Sequence, residues 1–127
     1  LLYVNLTDRL PEVIDDGYRI DGTTTDGLPR PVYHLVGDDS GLVATGSALA
    51  VAYQDATTHE LLLGVRGDQG IWQTTTVAGA EDPFVGAYGF YAAADFATED
   101  VVMSSYVIDL PNDDAWVEIF DAPLVIE

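Results

Sequence analysis

Whatever chemistry this sequence performs must come largely from carboxylates. Asp and Glu number 22, Lys and Arg together 4 and His 2, and there is no cysteine. The acids gather in short runs: DGTTTDG brings Asp21 and Asp26 onto one loop, GDD supplies Asp38 and Asp39, and NDD supplies Asp113 and Asp114. Hard cations such as Ca²⁺ are held by oxygen ligands presented on loops, so these aspartates are the candidate calcium set. None of the runs has the EF-hand spacing or the glycine-rich nonapeptide repeat. Asp also serves turns by hydrogen-bonding its own backbone, which is the competing reading of all three runs.

Other chemistries find less material. His34 and His59 stand in or beside strand-like runs without metal-ligand spacing, which argues against zinc. No nucleophile elbow accompanies any serine. The basic residues are all arginines, Arg9, Arg19, Arg30 and Arg66. Without lysine there is no Schiff base, no lysine-bearing phosphate loop and no broad basic patch. A formal net charge of -18 repels phosphate backbones and anionic lipid, so nucleic acid and membrane surfaces are disfavoured partners. The expected catalytic set is therefore empty.

Three binding signals remain. Trp72, Tyr88, Tyr91 and Trp116 are candidates for stacking on a glycan, although aromatic residues in alternating strands also serve as core. Arg66-Gly67-Asp68 has the form of an adhesion tripeptide, but Gly and Asp are also what a hairpin tip selects. Asn5-Leu6-Thr7 is a glycosylation sequon, with Asn5 the candidate acceptor.

The elements that position these residues read as strands. A chain of 127 residues has the length of one domain, and a hydrophobic fraction of 48% marks a folded chain despite its acidity. PVYHLV, ALAVAY, ELLLGV, IWQTTTV, FYAAADF, VVMSSYVI and AWVEIF are short β-branched and aromatic runs between clusters of Gly, Asp, Pro and Asn. The alanine-rich GFYAAADFATED is the best helix candidate, yet its preceding glycine and flanking strand runs point to a strand. The apolar runs are too short to span a membrane as helices. The fold class expected is all-β.

The order of features also repeats. Val36-Gly37 recurs as Val85-Gly86, 49 residues on, and AVAYQDATTHELLLGV aligns with MSSYVIDLPNDDAWVEIF. In that alignment Tyr53 falls on Tyr106 at an offset of 53 and Asp55 on Asp109 at 54. LLYVN at the start resembles LLLGV at Leu61, with GYRIDG in the place of IWQTTTV. The result is a repeat of about 50 residues with four strand-like pieces. One domain, 1–127, then contains a partial repeat 1–35, a full repeat 36–84 and a second repeat 85–127. Its antiparallel sheets would be either propeller-blade-like or packed as a two-sheet β-sandwich.

The Val-Gly start, the Ala-x-Ala-Tyr-x-Asp strand and the later tryptophan resemble the blade repeats of secreted bacterial β-propeller proteins of the sialidase-like type. Asp68-Gln69-Gly70-Ile71-Trp72 is similar to an Asp-box, but one residue short and without the leading Ser or Thr. The arginine cluster of a sialidase active site has no counterpart in spacing, so the resemblance implies the blade and not the enzyme. It also implies a chain that begins within one blade and ends near the close of another, leaving faces to be covered by a longer polypeptide or by other copies. LLYVNLT, without an initiator methionine, fits a processed or excised chain. The expectation is a secreted or cell-surface, non-enzymatic structural or adhesive module, self-associating as a homo-oligomer or polymer, with calcium offsetting its charge. The alternative is a carbohydrate-binding or glycan-processing propeller fragment.

Overall fold

A computed structural model describes residues 1–46, 48–80 and 85–124. The fold is all-β, in several antiparallel sheets that among the described residues do not close into a barrel. The strands are β1 (Leu2–Val4), β2 (Pro11–Val13), β3 (Tyr18–Thr23), β4 (Pro29–Tyr33), β5 (Val36–Thr45), β6 (Ala48–Asp55), β7 (Glu60–Arg66), β8 (Trp72–Ala78), β9 (Gly86–Ala97), β10 (Asp100–Asp109) and β11 (Asp114–Pro123). Among the described residues these form four sheets: β1-β2, β3-β4, the meander β5-β6-β7-β8, and β9-β10-β11. GFYAAADFA is strand β9, as its neighbours suggested. The expected repeat boundary at 84/85 adjoins residues 81–84, and the last repeat's end at 127 follows Leu124; both 81–84 and 125–127 lie outside the described residues.

The meander is the centre of the molecule because it is apolar on both faces. Along β6 and β7 successive side chains alternate, as the strand pleat requires. Ala50, Ala52, Leu61, Leu63 and Val65 form one core with Ala92, Val101 and Met103 of the β9–β11 sheet. Val51, Tyr53, Leu62 and Trp72 form a second with Ile14, and Leu1 and Tyr3 pack against it. The central sheet is thus covered on its rear by the first residues of the chain and on its front by the following sheet.

The two larger sheets approach most closely at their first strands. A Cβ on Gly41 of β5 would lie 2.8 Å from the Ala92 carbonyl oxygen of β9, so only glycine fits there. Asp39, at φ 47°, reaches across with its Oδ2 to accept the Tyr91 N–H at 3.0 Å. Larger side chains fill the space further out, where Tyr88 and Phe120 meet edge to face at 5.9 Å. The sheets diverge beyond, leaving a gap of about 450 Å³ between β8 and the end of β11.

Two of the hairpins share one geometry. The β6–β7 ladder closes at Asp55 and Glu60, and the β10–β11 ladder at Asp109 and Asp114. Both turns are four residues long, 56–59 and 110–113, and both end on a residue of positive φ, His59 at 58° and Asp113 at 52°. Offsets of 109 − 55 and 114 − 60 are both 54, so Asp55 does match Asp109. The Tyr53–Tyr106 match does not hold: at an offset of 54 Tyr53 corresponds to Val107 and Ala52 to Tyr106. In a strand that single residue turns a side chain to the opposite face. Tyr53 is buried against the first segment, while Tyr106 faces away from the body of the protein.

The first segment also departs from the sequence alignment. β1 pairs with β2, and GYRIDG lies in β3, which pairs with β4. PEV, strand β2, stands in no strand-like run of the sequence, because three residues with Pro at the head carry little strand signal.

Candidate functional site

The densest polar cluster sits where residues 12–34 meet the rear of the central sheet. Asp15, nearly buried, takes four donors. Its Oδ1 accepts Gly17 N–H at 2.8 Å and Arg19 Nη1 at 2.9 Å, and its Oδ2 accepts Arg19 Nη2 and Tyr53 Oη, both at 2.8 Å. Asp55, two residues beyond Tyr53 on the same strand face, accepts the N–H groups of Thr57 at 2.9 Å and Thr58 at 3.2 Å with Oδ1. Its Oδ2 lies 2.6 Å from His34 Nδ1 and 3.9 Å from Arg19 Nη2. Two nearly buried carboxylates thus share one arginine, and Asp55 alone also engages His34.

The electrostatics follow from those contacts. Burial pushes the Asp15 carboxyl up, but the Arg19, Gly17 and Tyr53 hydrogen bonds outweigh it and hold the group at about 2. Burial likewise opposes ionisation of Asp55, and the His34 contact with the Thr58 and Thr57 amides brings it below the usual carboxylate range. Burial, reinforced by the neighbouring Asp15 carboxylate, raises the Tyr53 phenol. Every buried side-chain nitrogen and oxygen among the described residues has a hydrogen-bond partner. A cleft of about 380 Å³ opens beside Arg19, His34 and Asp55. Arg19 in it is already engaged by carboxylates, and the arrangement acts as a clamp that holds β3 and β4 to β6.

A second clamp lies nearby. Arg66 Nε and Nη2 donate to Glu12 Oε2 and Oε1 at 2.8 and 2.7 Å, and Trp72 Nε1 donates to Glu12 Oε2 at 2.9 Å. This disposes of the tripeptide at 66–68 as a displayed motif, since its arginine is bound to β2. Asp68–Gly70 form a single 3₁₀ turn, with Gln69 and Gly70 at positive φ. A Cβ on Gly70 would meet Glu12 Oε1 at 2.7 Å, so the glycine admits the clamp.

The residues singled out from sequence are scattered. Asp21 Oδ2 accepts Arg30 Nη2 at 3.0 Å across the β3–β4 hairpin, and Asp26 is exposed in its turn. Asp38 and Asp39 lie within the bulged strand β5 rather than on a loop. Asp113 stands in the β10–β11 turn, and Asp114 accepts the Ala115 N–H at 2.8 Å. Among the described residues no group of three or more His, Asp or Glu side chains gathers as a metal site. Trp72 packs on Tyr3 at 5.6 Å, Tyr88 on Phe120, and Trp116 opposes Val107 on the inner face of its sheet. Only Tyr91 stands on the outer face, 5.4 Å from Tyr106. The four aromatics therefore do not form one platform. Asn5 is exposed, and its Oδ1 accepts the Thr7 N–H at 2.8 Å.

Sequence reasoning missed Glu12, Asp15, Arg19 and the engagement of His34. The usable signal was scarcity: with 4 basic residues against 22 acids, the partners of Arg19 and Arg66 are positions the fold depends on.

The other feature is an apolar surface. The outer face of β10 and β11 presents Ser104, Tyr106, Ile108, Ala115, Val117 and Ile119, with Tyr91 from β9 beside them. Tyr91 is 72% exposed, Val117 58% and Ile119 66%. Comparison of the chain with protein-family models, with curated proteins and with solved structures finds no match. Among the described residues no helix is long and apolar enough to cross a membrane.

Proposed function

We propose that this chain is a non-enzymatic structural or adhesive β-repeat module of the cell exterior, which associates with other copies or with the rest of a longer polypeptide. One observation carries the reading. At the hairpin offset of 54, the exposed residues Tyr106, Ala115, Val117 and Ile119 correspond to Ala52, Leu61, Leu63 and Val65, which the central sheet buries against the sheet that follows it. The exposed face is thus the repeat equivalent of an interface. The sheets also stack front to rear, which favours the blade-like alternative and the resemblance to secreted bacterial propeller repeats. Sedimentation velocity across a concentration series, with and without chelator, tests the reading. Association that grows with concentration is expected, and a monomer indifferent to both variables would sink it.

A second reading rests on Tyr91 and Tyr106, whose edge-to-face pair beside Ser104 and Val117 offers apolar area and hydroxyls to a sugar. Binding on a glycan array that disappears in Tyr91→Ala and Tyr106→Ala would favour it over self-association.

A further inference from the structure

Two of the open apolar faces among the described residues are unlike. At one end is the outer face of β9–β11, the front of a repeat. At the other, the β1–β2 hairpin turns Tyr3 and Glu12 inward onto the rear of the central sheet, while Leu2, Val4, Pro11 and Val13 share the outward face. Leu2 is 61% exposed and Val13 57%. Because β1–β2 covers a rear with its inward side, its outward side is itself a rear. Between the two larger sheets a front meets a rear: Ala52, Leu61 and Leu63 of the central sheet are covered by the side of β10 bearing Val101 and Met103.

Charge points the same way. In a chain of net charge -18, approach of a second copy is opposed by long-range repulsion. Yet the outward side of β1–β2 carries no carboxylate, and on the outer face of β9–β11 Asp95 and Asp121 flank Val102 at one end only. The acids of the outer face, Asp95, Asp121 and Asp100, thus gather at one end of it, and the stretch bearing Tyr106, Val117 and Ile108 carries none.

We propose that the outer face of β9–β11 is covered by the β1–β2 hairpin of a second copy of this chain, front to rear, in continuation of the stacking within one molecule. This rests on the reading under Proposed function and adds the partner and its polarity. Such a contact is heterologous, so it propagates into a ring or a filament rather than closing as a two-fold dimer.

Complementary blocking tests it. Val117→Asp disables the front and Val13→Asp the rear, with Val117→Ser and Val13→Ser as milder counterparts and circular dichroism to verify folding. Each variant alone is expected to lose self-association by roughly tenfold or more, as for truncation of a central interface residue. Mixed in equal amounts, the two should form a heterodimer and nothing larger, since each retains one working end. If Val13→Asp alone still dimerises, the front pairs with itself; the polarity proposed is then wrong, while the associating module stands. If the unsubstituted chain does not associate at any concentration or salt, both fall.

Discussion

Glu12 and Arg66, 54 positions apart in sequence, form a two-toothed ion pair at 2.7 and 2.8 Å that also engages the Trp72 indole. It fastens the first hairpin to the edge of the central sheet. Both partners remain partly open to solvent, so the pair adds modestly to stability but strongly to the placement of β2.

Replacing Arg66 by Ala should cost no more than about 1 kcal/mol in denaturant unfolding. It should nonetheless shift Trp72 emission to the red as β1–β2 loosens and the indole gains water. Unchanged emission would mean that the apolar contact with Tyr3 alone holds the hairpin.

Asp15 makes stability depend on acid. Its folded-state pKa lies at about 2 against an ordinary 3.8, so the unfolded chain binds the proton more readily. The stabilisation is fully present above about pH 4 and is lost as pH falls toward 2, an effect on the order of 2 kcal/mol for this group. Asp55 and Glu12, both lowered, act in the same direction. Thermal unfolding followed from pH 6 down to pH 2 should show this decline, and Asp15→Asn should flatten part of it.

Within the same cluster, Arg19→Ala strands a buried carboxylate and should destabilise by about 3 kcal/mol. Tyr53→Phe removes one donor of four and should cost about 1 kcal/mol. The combined variant should depart from additivity, because both side chains serve Asp15; additive losses in a double-mutant cycle would separate them.

Gly41→Ala tests the contact between the larger sheets. The added methyl collides with the Ala92 carbonyl, and the expected cost is about 1–3 kcal/mol. Faster amide exchange should concentrate in β5 and β9. A neutral result would show that the sheets yield at their closest point.

Much of this architecture could be read in the sequence, for physical reasons specific to each element. β6 and β7 announce themselves because both their faces are apolar, and the turns around them carry Asp, Thr and His where backbone geometry wants them. β1 lies in LLYVN, which its likeness to LLLGV marks, whereas β2 is three residues headed by Pro and depends on tertiary contacts, so no local pattern marks it. The clamps were illegible for a related reason: Asp15 with Tyr53 and Glu12 with Arg66 are joined by folding across 38 and 54 positions. Asp38 and Asp39 were read as loop acids, since a bulge that admits positive φ at Asp39 looks like a turn in one dimension. The likeness of the two hairpins was legible to within one residue, and in a strand one residue decides which face is wet.

Three of the four arginines work in the first part of the molecule, holding Glu12, Asp15 and Asp21, whereas the contact of β9–β11 with the central sheet is mainly hydrocarbon. The two joints therefore answer to ions in opposite senses. Simple salt screens the first, most of all where its charges are exposed, and strongly hydrated anions such as sulfate tighten the second by raising the cost of wetting it. A chain this acidic is thus built with a soft joint and a stiff one, and the ionic medium around it sets which yields first.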